Sequence, residues 1–127
     1  MDFYSVKGPF TLKDKRRKFR TSVKLVTEDG RQTHRFFRSV DISTSGISLS
    51  TEFPLDLGTP VVLDFMLPQT PETVRIAGEV IRHIREEPRR QTSKVIGMGV
   101  KFRDIQPAHV QVLKGFIQGG GDATSPK

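Results

Sequence analysis

The sequence predicts a mainly β protein, a six-stranded antiparallel β-barrel with one short C-terminal α-helix. From Ser22 onward, short runs of β-branched and aromatic residues alternate with turn residues at regular intervals. Apolar residues at helical spacing occur only near the end of the chain. Because an open sheet would leave two edge strands exposed, closure into a barrel is the favoured arrangement.

Three strands are predicted in the first half of the chain. Apolar residues alternate over residues 23–27, and Asp29-Gly30 then supplies a strong hairpin turn. A second strand is predicted from about Thr33 to Ile42. The turn residues Ser43–Gly46 end it, and a short third strand follows at residues 47–50.

A fourth strand is predicted at residues 61–67 and a long fifth strand at residues 74–85. One face of the fourth strand carries Val61, Leu63, Phe65 and Leu67. In the fifth strand, Gly78 indicates either a bulge or a close approach of two backbones. Residues 86–92 are the predicted hairpin loop that leads to the next strand.

The sixth strand is predicted to have one face that is largely without side chains. Its apolar face carries Ile96, Met98, Val100 and Phe102, and its opposite face carries Gly97, Gly99 and Lys101. A short amphipathic helix is predicted to begin at Pro107, with Val110, Leu113 and Ile117 facing the sheet, and to end at Gly119.

The length of 127 residues fits a single domain. We expect this domain at residues 13–118, with flexible tails at residues 1–12 and 119–127. No apolar run approaches the roughly 20 residues needed to span a bilayer, so membrane insertion is not expected. The absence of Cys excludes disulfides and thiolate metal sites and fits a cytoplasmic location.

The net charge of +7 lies in one part of the chain. Residues 1–40 hold eleven basic and four acidic side chains, whereas residues 41–127 hold ten of each. A local excess of this kind predicts a polyanionic partner, which charge alone leaves open between nucleic acid, an anionic membrane and a phosphate-bearing ligand.

The residues needed for catalysis do not form recognisable groups. His34, His83 and His109 are far apart in the sequence and lack metal-ligand spacing. The serines lack a G-x-S-x-G motif, and isolated carboxylates more often cap turns than act as acids or bases. We therefore expect no catalytic residues, no metal site and no cofactor.

One candidate binding segment is the basic run Lys13–Arg20, with six positive charges and one negative. Guanidinium groups bind phosphate through paired hydrogen bonds and stack on purine faces, so Arg16 and Arg20 could hold a compact dinucleotide from two sides. A solvated tail is the alternative interpretation of the same charges.

The other candidate segment is Asp41–Gly46. Asp41 can accept hydrogen bonds from the N1–H and N2–H edge of guanine, and Ser43 can hold the turn or contact a ligand. Gly46 permits a positive φ or a close approach of the backbone to a ring. An ordinary turn ending in glycine is the alternative.

Together the two segments resemble the signature of PilZ domains, which pairs R-x-x-x-R with D-x-S-x-x-G in a six-stranded β domain. The likeness extends to Gly78–Ile81 and to Gly97–Phe102, which resemble the fifth and sixth strands of the family. It implies a non-catalytic bacterial receptor for cyclic di-GMP (c-di-GMP) in the cytoplasm. The resemblance further implies that such a receptor acts on an unidentified protein partner and thereby controls motility, pili, exopolysaccharide or biofilm.

The resemblance assigns five binding residues. Arg16 and Arg20 would hold phosphates and stack on guanine, while Asp41, Ser43 and Gly46 would receive the base. Secondary candidates are Lys15, Arg17 and Gly99. Lys15 precedes the first motif arginine, a position associated in the family with binding of c-di-GMP as a monomer or as an intercalated dimer, and both remain open. The arginine segment is expected to be mobile until the ligand orders it.

Two alternatives to this receptor are a PilZ-like protein-interaction adaptor that binds no ligand and a nucleic-acid-binding β-barrel. The intact motifs argue against the first. The second needs aromatic side chains gathered on one face, but Phe36 and Phe37 are adjacent and are expected to point in opposite directions.

Overall fold

The computed structural model describes residues 15–26, 32–68 and 72–118, in which seven strands precede one helix. The predicted Asp29-Gly30 turn and both predicted tails lie outside these residues. The elements are β1 (Arg17–Lys18), β2 (Ser22–Val26), β3 (Gln32–Ile42), β4 (Gly46–Ser50), β5 (Pro60–Met66), β6 (Thr73–Arg85), β7 (Val95–Arg103) and α1 (Pro107–Gln118).

Six of these strands close into the predicted antiparallel barrel. Neighbours follow the order β3-β2-β5-β6-β7-β4, and β4 pairs again with β3. β1 is an additional strand where the sequence predicted a loose segment. Its two residues pair with Ile42 and Asp41 at the end of β3, which extends past β2 and leaves backbone groups available there.

The alternating apolar residues fill the barrel. Val61, Leu63, Phe65 and Leu67 are buried, as predicted, and so are Leu113 and Ile117 of α1. Val110 is only half-buried, whereas Phe116 on the same helix is buried. Phe19 contacts both Phe65 and Phe116 edge to face, with ring centroids 6.3 and 5.0 Å apart. These rings attach the segment after β1 to the core and to α1.

Of the two alternatives predicted at Gly78, the structure shows the close approach and no bulge, because a Cβ there would lie 2.7 Å from the Lys101 carbonyl oxygen. The predicted place of Ile96 on the apolar face was wrong. Ile96 is 41% exposed, because the register between β6 and β7 shifts beside it, where Gly97 and Val95 pair with Ile84 and Arg85. Phe36 and Phe37 point in opposite directions, with Phe36 exposed and Phe37 buried.

Asp64 is a buried carboxylate in the middle of β5. It pairs with Arg75 across β5 and β6, and the guanidinium donates Nε and Nη2 hydrogen bonds of 2.7 and 2.8 Å to its two oxygens. These hydrogen bonds and the attraction of the carboxylate raise the pKa of Arg75. The two hydrogen bonds offset the desolvation cost of burying the Asp64 carboxylate, and the ion pair forms part of the barrel wall.

Candidate functional site

A β-bulge in β3 places two consecutive side chains on the outer face of the barrel. The register between β3 and β4 shifts between Ser39 and Asp41. Ser39 and Ile42 are buried, whereas Val40 and Asp41 both reach the surface. The bulge therefore aims the Asp41 carboxylate outward, next to the turn that follows β3.

A second bulge has the same effect in β6. The register between β6 and β7 shifts between Val80 and Arg82, so that Val80 is buried while Ile81 and Arg82 are both exposed. Arg82 thereby points to the same outer surface as Asp41. Unbroken alternation from Val74 through Val80 would direct Arg82 into the barrel, so an arginine at this position is the trace that the break leaves in the sequence. Arg82 was not predicted as a site residue.

Small residues lie between these two side chains. Arg82 pairs with Gly99, Gly99 with Ser48, and Ser48 with Asp41, which gives one row across β6, β7, β4 and β3. Gly99 has no side chain and Ser48 has a short one. The row therefore forms a trough, with the guanidinium of Arg82 on one side and the carboxylate of Asp41 on the other.

Arg16 joins the two sequence motifs. Its Nε donates to Asp41 Oδ1 at 2.8 Å, its Nη1 to Ser43 Oγ at 3.1 Å and its Nη2 to the Gly46 carbonyl oxygen at 3.4 Å. One guanidinium thus contacts all three defining residues of D-x-S-x-x-G. The Arg16 and Asp41 side chains are 29% and 30% exposed, so solvent or a ligand can reach the pair.

The turn that carries this motif is held by Ser43 and Gly46. The fully buried Ser43 hydroxyl accepts the backbone N–H groups of Ser45 and Gly46 at 3.1 and 3.2 Å. Gly46 does not have a positive φ. A Cβ there would lie 2.4 Å from the Val100 carbonyl oxygen, so glycine permits close approach of β4 to β7.

Three other predicted residues lie elsewhere. Arg20 is exposed and lines a separate cavity of about 370 Å³ beside Met66 and Phe116. Lys15 is exposed at the start of the described segment. Arg17 contacts the end of α1, where Nη1 donates to the Phe116 carbonyl at 2.6 Å and the guanidinium carbon lies 4.3 Å from the ring centroid.

Two depressions flank Arg82 on this surface. The first, of about 150 Å³, is lined by Arg16, Gly46, Arg82, Gly99 and Lys101 among others. The second, of about 550 Å³, runs beneath the β6–β7 hairpin. Among the residues described, Asp41 is the one carboxylate in either lining. The excess of cationic side chains favours a ligand that carries phosphate.

Across 15–26, 32–68 and 72–118, no group of three or more His, Asp or Glu side chains is placed to hold a metal ion. Of the part of the chain that the structure describes, no helix is long and apolar enough to cross a membrane.

Comparison with known proteins gives one family and several similar folds. The family model described as PilZ domain matches residues 13–119. The inhibitor of motility from Bacillus subtilis (MotI/DgrA) has a TM-score of 0.65 at 17% identity, over 84% of this chain and 48% of that one. The PilZ domain of Escherichia coli YcgR, in a structure with c-di-GMP, has a TM-score of 0.60 at 14% identity, over 82% and 86%.

A longer YcgR structure, also in complex with c-di-GMP, has a TM-score of 0.54 at 15% identity, over 81% of this chain and 44% of that one. The chain therefore spans about half the length of MotI/DgrA and of this longer YcgR. No curated protein matches the sequence. At these identities the structural likeness concerns the fold.

Proposed function

The chain belongs to the PilZ domain family, and from this premise we propose that it is a bacterial receptor for c-di-GMP. The observation that carries the proposal is the contact of Arg16 with Asp41, Ser43 and Gly46, which joins the first arginine of R-x-x-x-R to the D-x-S-x-x-G turn. Two structures of YcgR that were solved with c-di-GMP have a fold similar to that of this chain. This similarity supports the choice of ligand.

The acceptors that Arg16 uses suit guanine. Guanine presents two parallel donors, N1–H and N2–H, much as a guanidinium presents its N–H groups. When the base binds, it replaces Arg16 at the Asp41 carboxylate. The released guanidinium then binds a phosphate or stacks on the purine, and both contacts are favourable for arginine.

Arg20 supplies the second cation of the motif. Its side chain is exposed and lies outside the trough. Binding therefore requires the segment around residues 15–20 to turn toward the ligand. A rearrangement of this segment changes the surface next to the barrel, which a partner protein can sense. We place this signalling in the cytoplasm, with control of motility, pili, exopolysaccharide or biofilm as its output and no catalytic step.

A second candidate is an adaptor that binds no ligand, because Arg16 already satisfies the acceptors of the site. Isothermal titration of the wild type with c-di-GMP separates the two, with cyclic di-AMP as the matched control. Adenine lacks both N1–H and the N2 amine, so the receptor gives heat with c-di-GMP and none with cyclic di-AMP. No heat with either dinucleotide at high micromolar concentration overturns the receptor and favours the adaptor.

A nucleic-acid-binding barrel receives no such support. Aromatic side chains that could stack on bases do not share one face of the described residues. Phe36 is exposed on β3 beneath Lys24 Nζ, 5.4 Å from its ring centroid, and Phe53 is exposed in the loop after β4. Phe19, Phe65, Phe102 and Phe116 are buried in the core.

A further inference from the structure

The β4–β5 loop (residues 51–59) presents two large apolar side chains to solvent. Phe53 is 76% exposed, more than any other large apolar side chain in the described residues, and Leu57 is 60% exposed. Neither side chain lies in the core or lines the two depressions beside Arg82. Because aromatic residues are enriched in protein–protein interfaces, Phe53 marks a candidate docking element.

Hydrogen bonds hold the backbone of this loop in place. The Phe53 N–H donates to Thr51 Oγ1 at 3.0 Å, and the Phe53 carbonyl accepts from Arg35 Nη2. Farther along the loop, the Gly58 N–H donates to the Val80 carbonyl at 2.8 Å. A loop that is already ordered loses less conformational entropy when it binds, so Phe53 is pre-organised for a contact.

The cavity beside Met66 and Phe116 lies outside the trough and has room for an aromatic ring. It measures about 370 Å³, whereas a cavity of about 150 Å³ is enough to bind benzene. Apolar side chains that include Leu67 form part of its lining, and the exposed side chains of Lys18 and Arg20 add two positive charges. The cavity therefore suits an apolar side chain that is accompanied by acidic groups.

The charges of the β4–β5 loop are opposite to those of the cavity. The loop contains Glu52 and Asp56 and no Lys or Arg, in a chain whose net charge is +7. Among the described residues that line the cavity, Lys18 and Arg20 are charged and none is acidic. Glu52 pairs with Lys94, but this exposed ion pair contributes little and can exchange for another cation. The loop and the cavity are thus complementary in both charge and polarity.

The loop and the cavity of one molecule lie at opposite ends of β5. The loop precedes the first residue of β5, whereas Met66 in the cavity lining is the last. At about 3.3 Å per residue, the seven residues of β5 separate them by roughly 20 Å. β3 agrees with this separation. Phe53 is bonded to Arg35, whereas the cavity residue Phe19 is bonded to Val40, five residues farther along β3. A contact between loop and cavity therefore requires two copies of the chain.

We propose that the β4–β5 loop of one copy docks into the cavity of a second copy, with Phe53 inside the cavity and the acidic side chains beside Lys18 and Arg20. Because the two surfaces differ, each contact leaves one loop and one cavity unoccupied, and the copies associate head to tail. One loop in one cavity is a small interface, so the expected dissociation constant is on the order of 100 µM. The contact needs no c-di-GMP and goes beyond the proposed receptor function.

Sedimentation equilibrium of the full chain without nucleotide tests the contact at physiological salt, where repulsion between the charged copies is screened beyond about 8 Å. Phe53→Ser removes the docking side chain, and Met66→Glu places a carboxylate at the cavity. Phe36→Ser and Val112→Glu are the matched controls, since both residues are exposed and lie outside the loop and the cavity lining. Lys18→Glu is a second cavity variant, and thermal unfolding verifies that each variant is folded.

We expect the wild type and both controls to exceed the mass of a dimer as the concentration approaches about 1 mM, and Phe53→Ser, Met66→Glu and Lys18→Glu to associate at least about tenfold more weakly. A mixture of Phe53→Ser and Met66→Glu should form a 1:1 complex and nothing larger, because it contains one intact cavity and one intact loop. A wild type that stays monomeric, or whose mass stops at the dimer, overturns the head-to-tail association. Wild-type association of folded Phe53→Ser, or a mixture that forms no complex, overturns the contact itself.

Discussion

Arg16 Nε donates a hydrogen bond of 2.8 Å to Asp41 Oδ1, and this contact connects two motifs that lie 25 residues apart in the sequence. Because β1 pairs with the end of β3, the residue before β1 arrives directly beside the Asp41 bulge. The guanidinium can then reach the Ser43 hydroxyl and the Gly46 carbonyl as well. In this arrangement the arginine occupies the acceptors that a guanine base would use.

Asp41→Asn tests the acceptor role of this carboxylate. We expect affinity for c-di-GMP to fall about tenfold or more, because a hydrogen bond to a charged group contributes about 1.5–3 kcal/mol and the amide replaces one acceptor by a donor. Calorimetry measures the change. Asp56→Asn is the control, since Asp56 is exposed and lines neither depression. Equal losses in the two variants would show that net charge alone is responsible.

Gly46→Ala and Gly99→Ala separate the structural glycine from the surface glycine. The new Cβ at Gly46 would collide with the Val100 carbonyl, whereas that at Gly99 meets only the Arg82 side chain. We expect Gly46→Ala to lower the free energy of unfolding by about 1–3 kcal/mol, the usual cost of overpacking. Gly99→Ala should change it much less. Urea denaturation measures both, and equal stabilities would contradict the described approach of β4 to β7.

Arg75→Ala tests the ion pair in the barrel wall. It leaves the Asp64 carboxylate, whose side chain is 10% exposed, without its two guanidinium hydrogen bonds. We expect a lower midpoint of urea denaturation and unchanged affinity for c-di-GMP. Arg90→Ala removes an exposed pair with Glu87 and should leave the midpoint nearly unchanged. If both variants were equally stable, Asp64 would not depend on Arg75.

Arg17→Ala tests the connection between the basic segment and α1. Arg17 donates to the Phe116 carbonyl, one of the carbonyls at the helix end that lack a partner within the helix. We expect faster amide hydrogen exchange at the end of α1 and unchanged exchange in β6 and β7. Lys18→Ala, which alters an exposed neighbour, is the control. Unchanged exchange in α1 would show that Arg17 does not stabilise it.

The barrel was predictable because alternation, turn residues and the final helical spacing are all local signals. The predicted strands at residues 33–42 and 47–50 differ from β3 and β4 by one residue at the start, and the strand predicted at 61–67 is shifted by one residue relative to β5. β1 was missed because a two-residue strand has no period of its own, and it forms only where β3 offers free backbone groups.

The residues of the candidate site were only partly predictable from the sequence. The two motifs could be found by their spacing, and the structure brings Arg16, Asp41, Ser43 and Gly46 together. Arg82 was missed because unbroken alternation from Val80 would direct its side chain into the barrel, whereas the bulge places it on the outer face. The absence of a side chain at Gly99 was a signal of space on this outer surface, and the Arg82 side chain lies beside it.

The proposed c-di-GMP site is tested most directly by titration of c-di-GMP into the wild type beside Arg20→Ala and Asp41→Ala. We predict saturable binding to the wild type and at least about tenfold weaker binding to each folded variant, since each change removes a charged partner of the ligand. Unchanged affinity in both variants would contradict the site, even if the wild type bound c-di-GMP.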